Sequence, residues 1–145
     1  MRKMLFVLGV ALVAGAAQSQ LPFLAKRPTQ PIVQGIDALR ADFAAQSGGT
    51  TVYFGTEGVI LGAPGKTVLS AQAAWLRHHP DVVVRVEGYG DGADTRDHAL
   101  AVGARRAEEA RDFLVLLGVP STQVSTTSWG KERQGLGRAV TTLVR

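Results

Sequence analysis

Apolar residues recur along this chain in two rhythms: every second position in short runs, and every three or four positions in longer ones. Their alternation predicts the order of elements. Ile32, Ile36, Leu39 and Phe43 share one helical face, and Pro31 in front with Ser47-Gly48-Gly49 behind bounds a helix over 31–46. Thr50 to Phe54 (TTVYF) is β-branched and aromatic, hence a strand. After an irregular connection from Gly55 to Gly62, Pro64 opens a second helix. It carries Val68, Leu69, Ala73, Trp75 and Leu76 to about His78, and Pro80 stops it. Val82, Val84 and Val86 alternate with Arg85 and Glu87 in a second strand. Gly88 and Gly90 then flank Tyr89, so a sharp turn close to a ligand is expected there. A third helix, from Thr95 or Arg96 to Leu117, places Ala99, Val102, Arg106, Ala110, Phe113 and Leu117 on one stripe, with Gly118 suited to its left-handed cap. A third strand is expected from Gln123 to Ser128, a polar loop from Lys131 to Gly137, and a closing strand from Arg138 to Arg145.

The order β–α–β–α–β–β behind an N-terminal helix predicts an α/β (α+β) sandwich, with a mixed sheet and helices on one face. Three divisions follow. Residues 1–19 read as an export signal: Met1-Arg2-Lys3 is basic, Met4 to Val13 is apolar, and Ala14 to Ser19 is small. The apolar stretch falls short of the roughly 20 residues that span a bilayer, so no integral membrane segment is expected after processing. Residues 20–49 form a proline-rich linker and the first helix, and 50–145 the main domain.

Composition narrows the function. The 145 residues are 46% hydrophobic and 19% charged, enough for one domain with a core. The absence of cysteine excludes disulfides, thiolate metal sites and a lipid-bearing cysteine. The net charge of +4, two units of it from Arg2 and Lys3, comes without a basic run. With only 6% aromatics, nucleic acid is not an expected partner. His78 and His79 are neighbours on a helix, point about 100° apart and do not form a chelating pair. No Ser/His/Asp or metal constellation is present, His98 near Asp91 being the sole conceivable acid–base pair, and neither an enzyme nor a cofactor is expected.

One unit combines opposite charges. Asp91 lies in the turn after the second strand, and Arg106 lies on the inner stripe of the following helix, whereas Arg105 faces outward. A guanidinium on an inner stripe requires a partner. The pair is suited to a zwitterionic ligand, or else to a structural bridge between its own two members.

From about Thr51 onward the chain resembles the OmpA-like C-terminal domain, also found in peptidoglycan-associated lipoprotein (Pal). The resemblance rests on Tyr53-Phe54, Trp75-Leu76, His79-Pro80-Asp81 and the run from Val84 through Glu87-Gly88-Tyr89-Gly90 to Asp91. It continues in Val102-Gly103-Ala104-Arg105-Arg106-Ala107, Phe113-Leu114, Gly118-Val119 and Ser128-Trp129-Gly130-Lys131-Glu132. It covers about two thirds of the chain. It implies a periplasmic, cell-envelope protein binding peptidoglycan non-covalently through the diaminopimelate of the stem peptide. Asp91 and Arg106 would take the ammonium and carboxylate of that amino-acid head. Gly90, Asp94 and Thr95 would line the loop, and Arg138 would match the second arginine of the family's Asn-Arg-Arg motif. The chain departs from the family pattern at Gly55, Gly90, Asp94 and His98-Ala99, and in a shorter loop after Glu132. An alternative use is a scaffold for protein–protein contact in the envelope, made through the helix at 31–46.

Overall fold

A computed structural model describes residues 32–56 and 58–145; the expected export signal and nearly all of the linker lie outside this range. The elements are α1 (Ile32–Gln46), β1 (Thr51–Tyr53), α2 (Ala63–His78), β2 (Val84–Tyr89), α3 (Arg96–Leu116), β3 (Val124–Gly130) and β4 (Arg138–Leu143). The strands form one mixed sheet in the order β1-β4-β2-β3. β2 runs parallel to β3, and β4 runs antiparallel to both β1 and β2. The expected α/β architecture is therefore the observed one.

The core lies between sheet and helices. Val52, Val84, Val86, Val124, Ala139 and Leu143 meet Leu69, Ala73 and Leu76 of α2 and Ala107, Ala110 and Leu114 of α3. The pleat sends alternate residues to the other face, where Arg85, Glu87 and Tyr89 follow one another along β2. There Arg85 reaches the Glu87 carboxylate at 3.0 Å, and Glu87 accepts a long bond of 3.4 Å from the Tyr89 hydroxyl. Burial, helped by the Glu87 charge, raises the Tyr89 phenol above its ordinary value and keeps it protonated at neutral pH.

All four strands differ from expectation in their bounds, β4 by ending at Leu143. β2 begins at Val84 and continues through Gly88 and Tyr89. The close approach that Gly88 permits is thus to α3 and not to a ligand: a Cβ there would lie 1.8 Å from the Gly103 carbonyl oxygen. β3 starts at Val124 because Ser121–Gln123 closes a 3-10 turn, in which the buried Gln123 amide donates to the Leu76 and His79 carbonyls at 3.1 and 2.8 Å. It runs on through Trp129 to Gly130, which pairs with Tyr89 across a register shift. β1 is confined to Thr51–Tyr53, although its register with β4 continues at both ends, the Phe54 N–H donating to the Gly137 carbonyl and the Thr141 N–H to the Thr50 carbonyl, each at 2.8 Å.

α1 belongs to this core. Phe43 is fully buried and meets Trp75 edge-on, the ring centroids 5.1 Å apart. The Trp75 indole N–H donates to Asp42 at 2.7 Å. Arg40 donates through Nε and Nη2 to the Leu143 carbonyl, on the stretch of β4 beyond its pairing with β1. From the same face Ile36 and Leu39 pack against the core.

Two outcomes follow for stability. Phe43→Ala should cost about 3–5 kcal/mol in urea unfolding, by transfer and cavity terms together; a loss within error of zero would mean that α1 is not docked. Hydrogen bonds from Trp75 and then Gln46 hold the Asp42 carboxyl below its ordinary 3.8. A carboxyl lowered in the folded state stabilises above its unfolded pKa, and that contribution disappears as pH falls through the folded one. Trp75→Phe should therefore flatten the loss of stability below about pH 4 in acid titration of the unfolding midpoint.

Candidate functional site

The sheet topology brings three connections to one end. β2 and β3 finish there in parallel, β4 begins there, and β1 finishes there opposite Arg138. The connections at 54–62, 90–95 and 131–137 consequently converge. Gly137 ties them, with a left-handed φ of 72°. Its N–H donates to the Gly90 carbonyl at 3.0 Å while its carbonyl accepts from Phe54. A side chain at this position would strain the junction of all three segments.

α3 delivers Arg106 to this junction. Gly88 and Gly90 let the helix settle onto the end of β2, where a Cβ at Gly90 would lie 2.3 Å from the Ala99 carbonyl oxygen. Small residues at Ala99 and Gly103 complete the approach, and the next inward position along the helix is Arg106. Its side chain has no solvent exposure.

All five guanidinium N–H groups of Arg106 are bonded. Nη1 donates to Asp91 Oδ1 at 3.1 Å and Nη2 to Asp91 Oδ2 at 3.2 Å, a bidentate fork. Nη1 also donates to the Tyr89 carbonyl at 2.8 Å, Nη2 to the Gly55 carbonyl at 3.0 Å, and Nε to the Gly58 carbonyl at 2.8 Å. The ring of Phe54 lies 5.5 Å from the guanidinium carbon. Asp91 retains 17% side-chain exposure, so the negative member of the pair faces outward and the positive member is enclosed.

The other expected site residues take different positions. Gly90 is buried, and its N–H donates to Gly130 while its carbonyl accepts from Gly137, so both its backbone groups are engaged. Thr95 is the N-cap of α3, its hydroxyl accepting from the His98 N–H at 3.3 Å. Asp94 has 13% side-chain exposure, and its Oδ2 is buried without a hydrogen bond among the described residues. His98 Nε2 lies 3.8 Å from that oxygen, which places His98 beside Asp94. Arg138 lies on the sheet with its guanidinium 5.5 Å from the Tyr89 ring, donating to the Gln134 carbonyl at 3.3 Å. Among the described residues no group of three or more His, Cys, Asp or Glu side chains is placed to hold a metal, and no helix is long and apolar enough to cross a membrane.

Three partners of Arg106 escaped sequence reasoning, because they are backbone carbonyls. The expectation that its counterpart is Asp91 rested on charge and spacing; nothing in the residue types of Gly55, Gly58 or Tyr89 announces an acceptor. The glycines at 55 and 58 did mark an irregular connection, which is the signal that was available.

Comparisons with known proteins bear on the family and the fold. The model of the OmpA family matches residues 53–140. A peptidoglycan-associated lipoprotein of Mesorhizobium japonicum is 45% identical over 85 residues, 59% of this chain and 51% of that protein. One from Pasteurella multocida is 39% identical over 83 residues, 57% of this chain and 55% of its own length. The chain thus spans about half the length of the curated relatives it matches. Among solved structures, the peptidoglycan-associated lipoprotein from Burkholderia pseudomallei superposes with a TM-score of 0.63 at 29% identity, over 66% of this chain and 91% of that one. The C-terminal domain of Helicobacter pylori MotB shares the fold, with a TM-score of 0.60 at 17% identity over 66% of this chain and 84% of that one. With more than half of its length matched by the family model and its fold shared with these structures, the chain belongs to the OmpA family.

Proposed function

We propose that this domain is a non-catalytic binding module of the periplasm that holds peptidoglycan non-covalently and so anchors its chain in the cell envelope. The ligand group is the amino-acid head of diaminopimelate in the stem peptide. The observation that carries the reading is the Asp91–Arg106 fork at the junction of three loops, with the acid outward and the base enclosed. The membership of the family and the likeness to peptidoglycan-associated lipoproteins support it.

The chemistry fits a head with ammonium and carboxylate on one carbon. Asp91 is already oriented by the guanidinium, and its exposed edge accepts the ammonium as a charge-assisted hydrogen bond. Arg106 has no spare donor, so the ligand carboxylate reaches it by replacing a present acceptor. The replaceable ones are the Gly55 and Gly58 carbonyls on the connection between β1 and α2, an irregular segment, in contrast to the Tyr89 carbonyl at the end of a central strand. Binding therefore includes a shift of this connection. The enclosed position favours the exchange, because a carboxylate against a desolvated guanidinium gains more than it would in water.

In co-sedimentation with purified sacculi, the wild type should pellet and Asp91→Asn should lose about tenfold or more in affinity, as expected for removal of a charge-assisted contact. The same substitution leaves Arg106 buried without its counter-ion and should cost about 3–5 kcal/mol in stability, so both are to be measured below its unfolding midpoint. A folded Asp91→Asn protein that pellets as the wild type does would overturn the reading.

A further inference from the structure

Two arginines near this end of the sheet differ in what they still have to offer. Arg106 has spent every donor, whereas Arg133 makes no hydrogen bond or ion pair among the described residues. Arg133 is nevertheless held: its guanidinium carbon sits 3.4 Å from the centroid of the Trp129 ring. Stacking engages the flat face of a guanidinium and leaves its N–H edge for a planar anion. Little side-chain freedom then remains to be lost when an anion arrives.

Arg133 lines a pocket of about 350 Å³ together with Gly92, Lys131, Glu132 and Leu136. Gly92 follows Asp91 directly, and a Cβ on it would lie 2.8 Å from Leu136 Cδ1, so the pocket begins where the Asp91 loop meets the loop before β4. Glu132 is neutralised from outside the pocket by Arg96 at 2.7 Å. Lys131 donates Nζ to the Asp94 backbone carbonyl. The pocket wall therefore presents two cations beside one paired acid and is continuous with the loop that carries Asp91.

We propose that Arg133 and Lys131 form an anion subsite that takes a second carboxylate of the stem peptide, one residue or so beyond the amino-acid head held at Asp91 and Arg106. This rests on the proposed function. It makes the domain selective for stem peptides with free carboxylates over those in which the same groups are amidated.

The test is calorimetry of the full chain with three ligands: free diaminopimelate, a diaminopimelate stem peptide with free carboxylates, and a counterpart amidated at every carboxylate except that of the diaminopimelate head. The wild type should prefer the free-carboxylate peptide by about five- to tenfold, the range of one partly exposed charge-assisted contact. Arg133→Ala should erase that preference while binding free diaminopimelate as the wild type does, and Arg133→Lys should restore part of it. Because Arg133 is exposed and gives up only its contact with the Trp129 ring, Arg133→Ala should remain folded, with at most a small drop in its unfolding midpoint. Equal binding of the two peptides by the wild type, or an unchanged preference in Arg133→Ala, overturns the subsite. Failure of diaminopimelate and of both peptides to bind the wild type overturns the Asp91–Arg106 reading itself, and the subsite with it.

Discussion

A guanidinium without solvent must find an acceptor for every N–H, and in this fold that demand falls on three chain segments at once. Arg106, from α3, bonds the connection after β1 at Gly55 and Gly58, the end of β2 at Tyr89, and the following loop at Asp91. It is the largest of the fully buried side chains. Its bonds fix the mutual position of loops that share no strand pairing. A charge buried in this way is weak evidence for net stability, since desolvation offsets much of the attraction. What it supplies is placement. One carboxylate is held on a rigid fork at the mouth of the sheet.

The rest of the architecture serves that placement. Gly88 and Gly103 bring α3 onto β2 closely enough for the guanidinium to reach beyond the strand end. Gly137 closes the base of the site by bonding both Gly90 and Phe54. α1 works at a distance, with Phe43 in the core and Arg40 on the β4 backbone, and so completes the domain.

Much of this was legible in the sequence because it depends on periodicity. The inward stripe of α3 identified Arg106 over Arg105, and the structure encloses the first and exposes the second. The left-handed cap at Gly118 was equally plain, whereas Thr95, expected at the helix start and in the ligand loop, is the N-cap of α3. Strand ends were less so: Gly88 and Gly90 looked like turn residues, yet Gly88 lies within β2, because a glycine that admits a helix and a glycine that makes a turn are the same letter. The carbonyl partners of Arg106 and the stacking of Arg133 on Trp129 arise from tertiary placement, and no local pattern encodes them.

The central claim is that Arg106 releases loop carbonyls to accept a ligand carboxylate while Asp91 takes the ammonium. Its most direct test is a heteronuclear NMR titration with diaminopimelate, following the Arg106 Nε–H and the backbone amides of the 55–58 connection and the Asp91 loop. The account predicts saturable shifts concentrated at these groups, with the Arg106 Nε–H remaining protected from exchange in the complex. Saturable binding that leaves the Arg106 Nε–H and the 55–58 amides unmoved would contradict it.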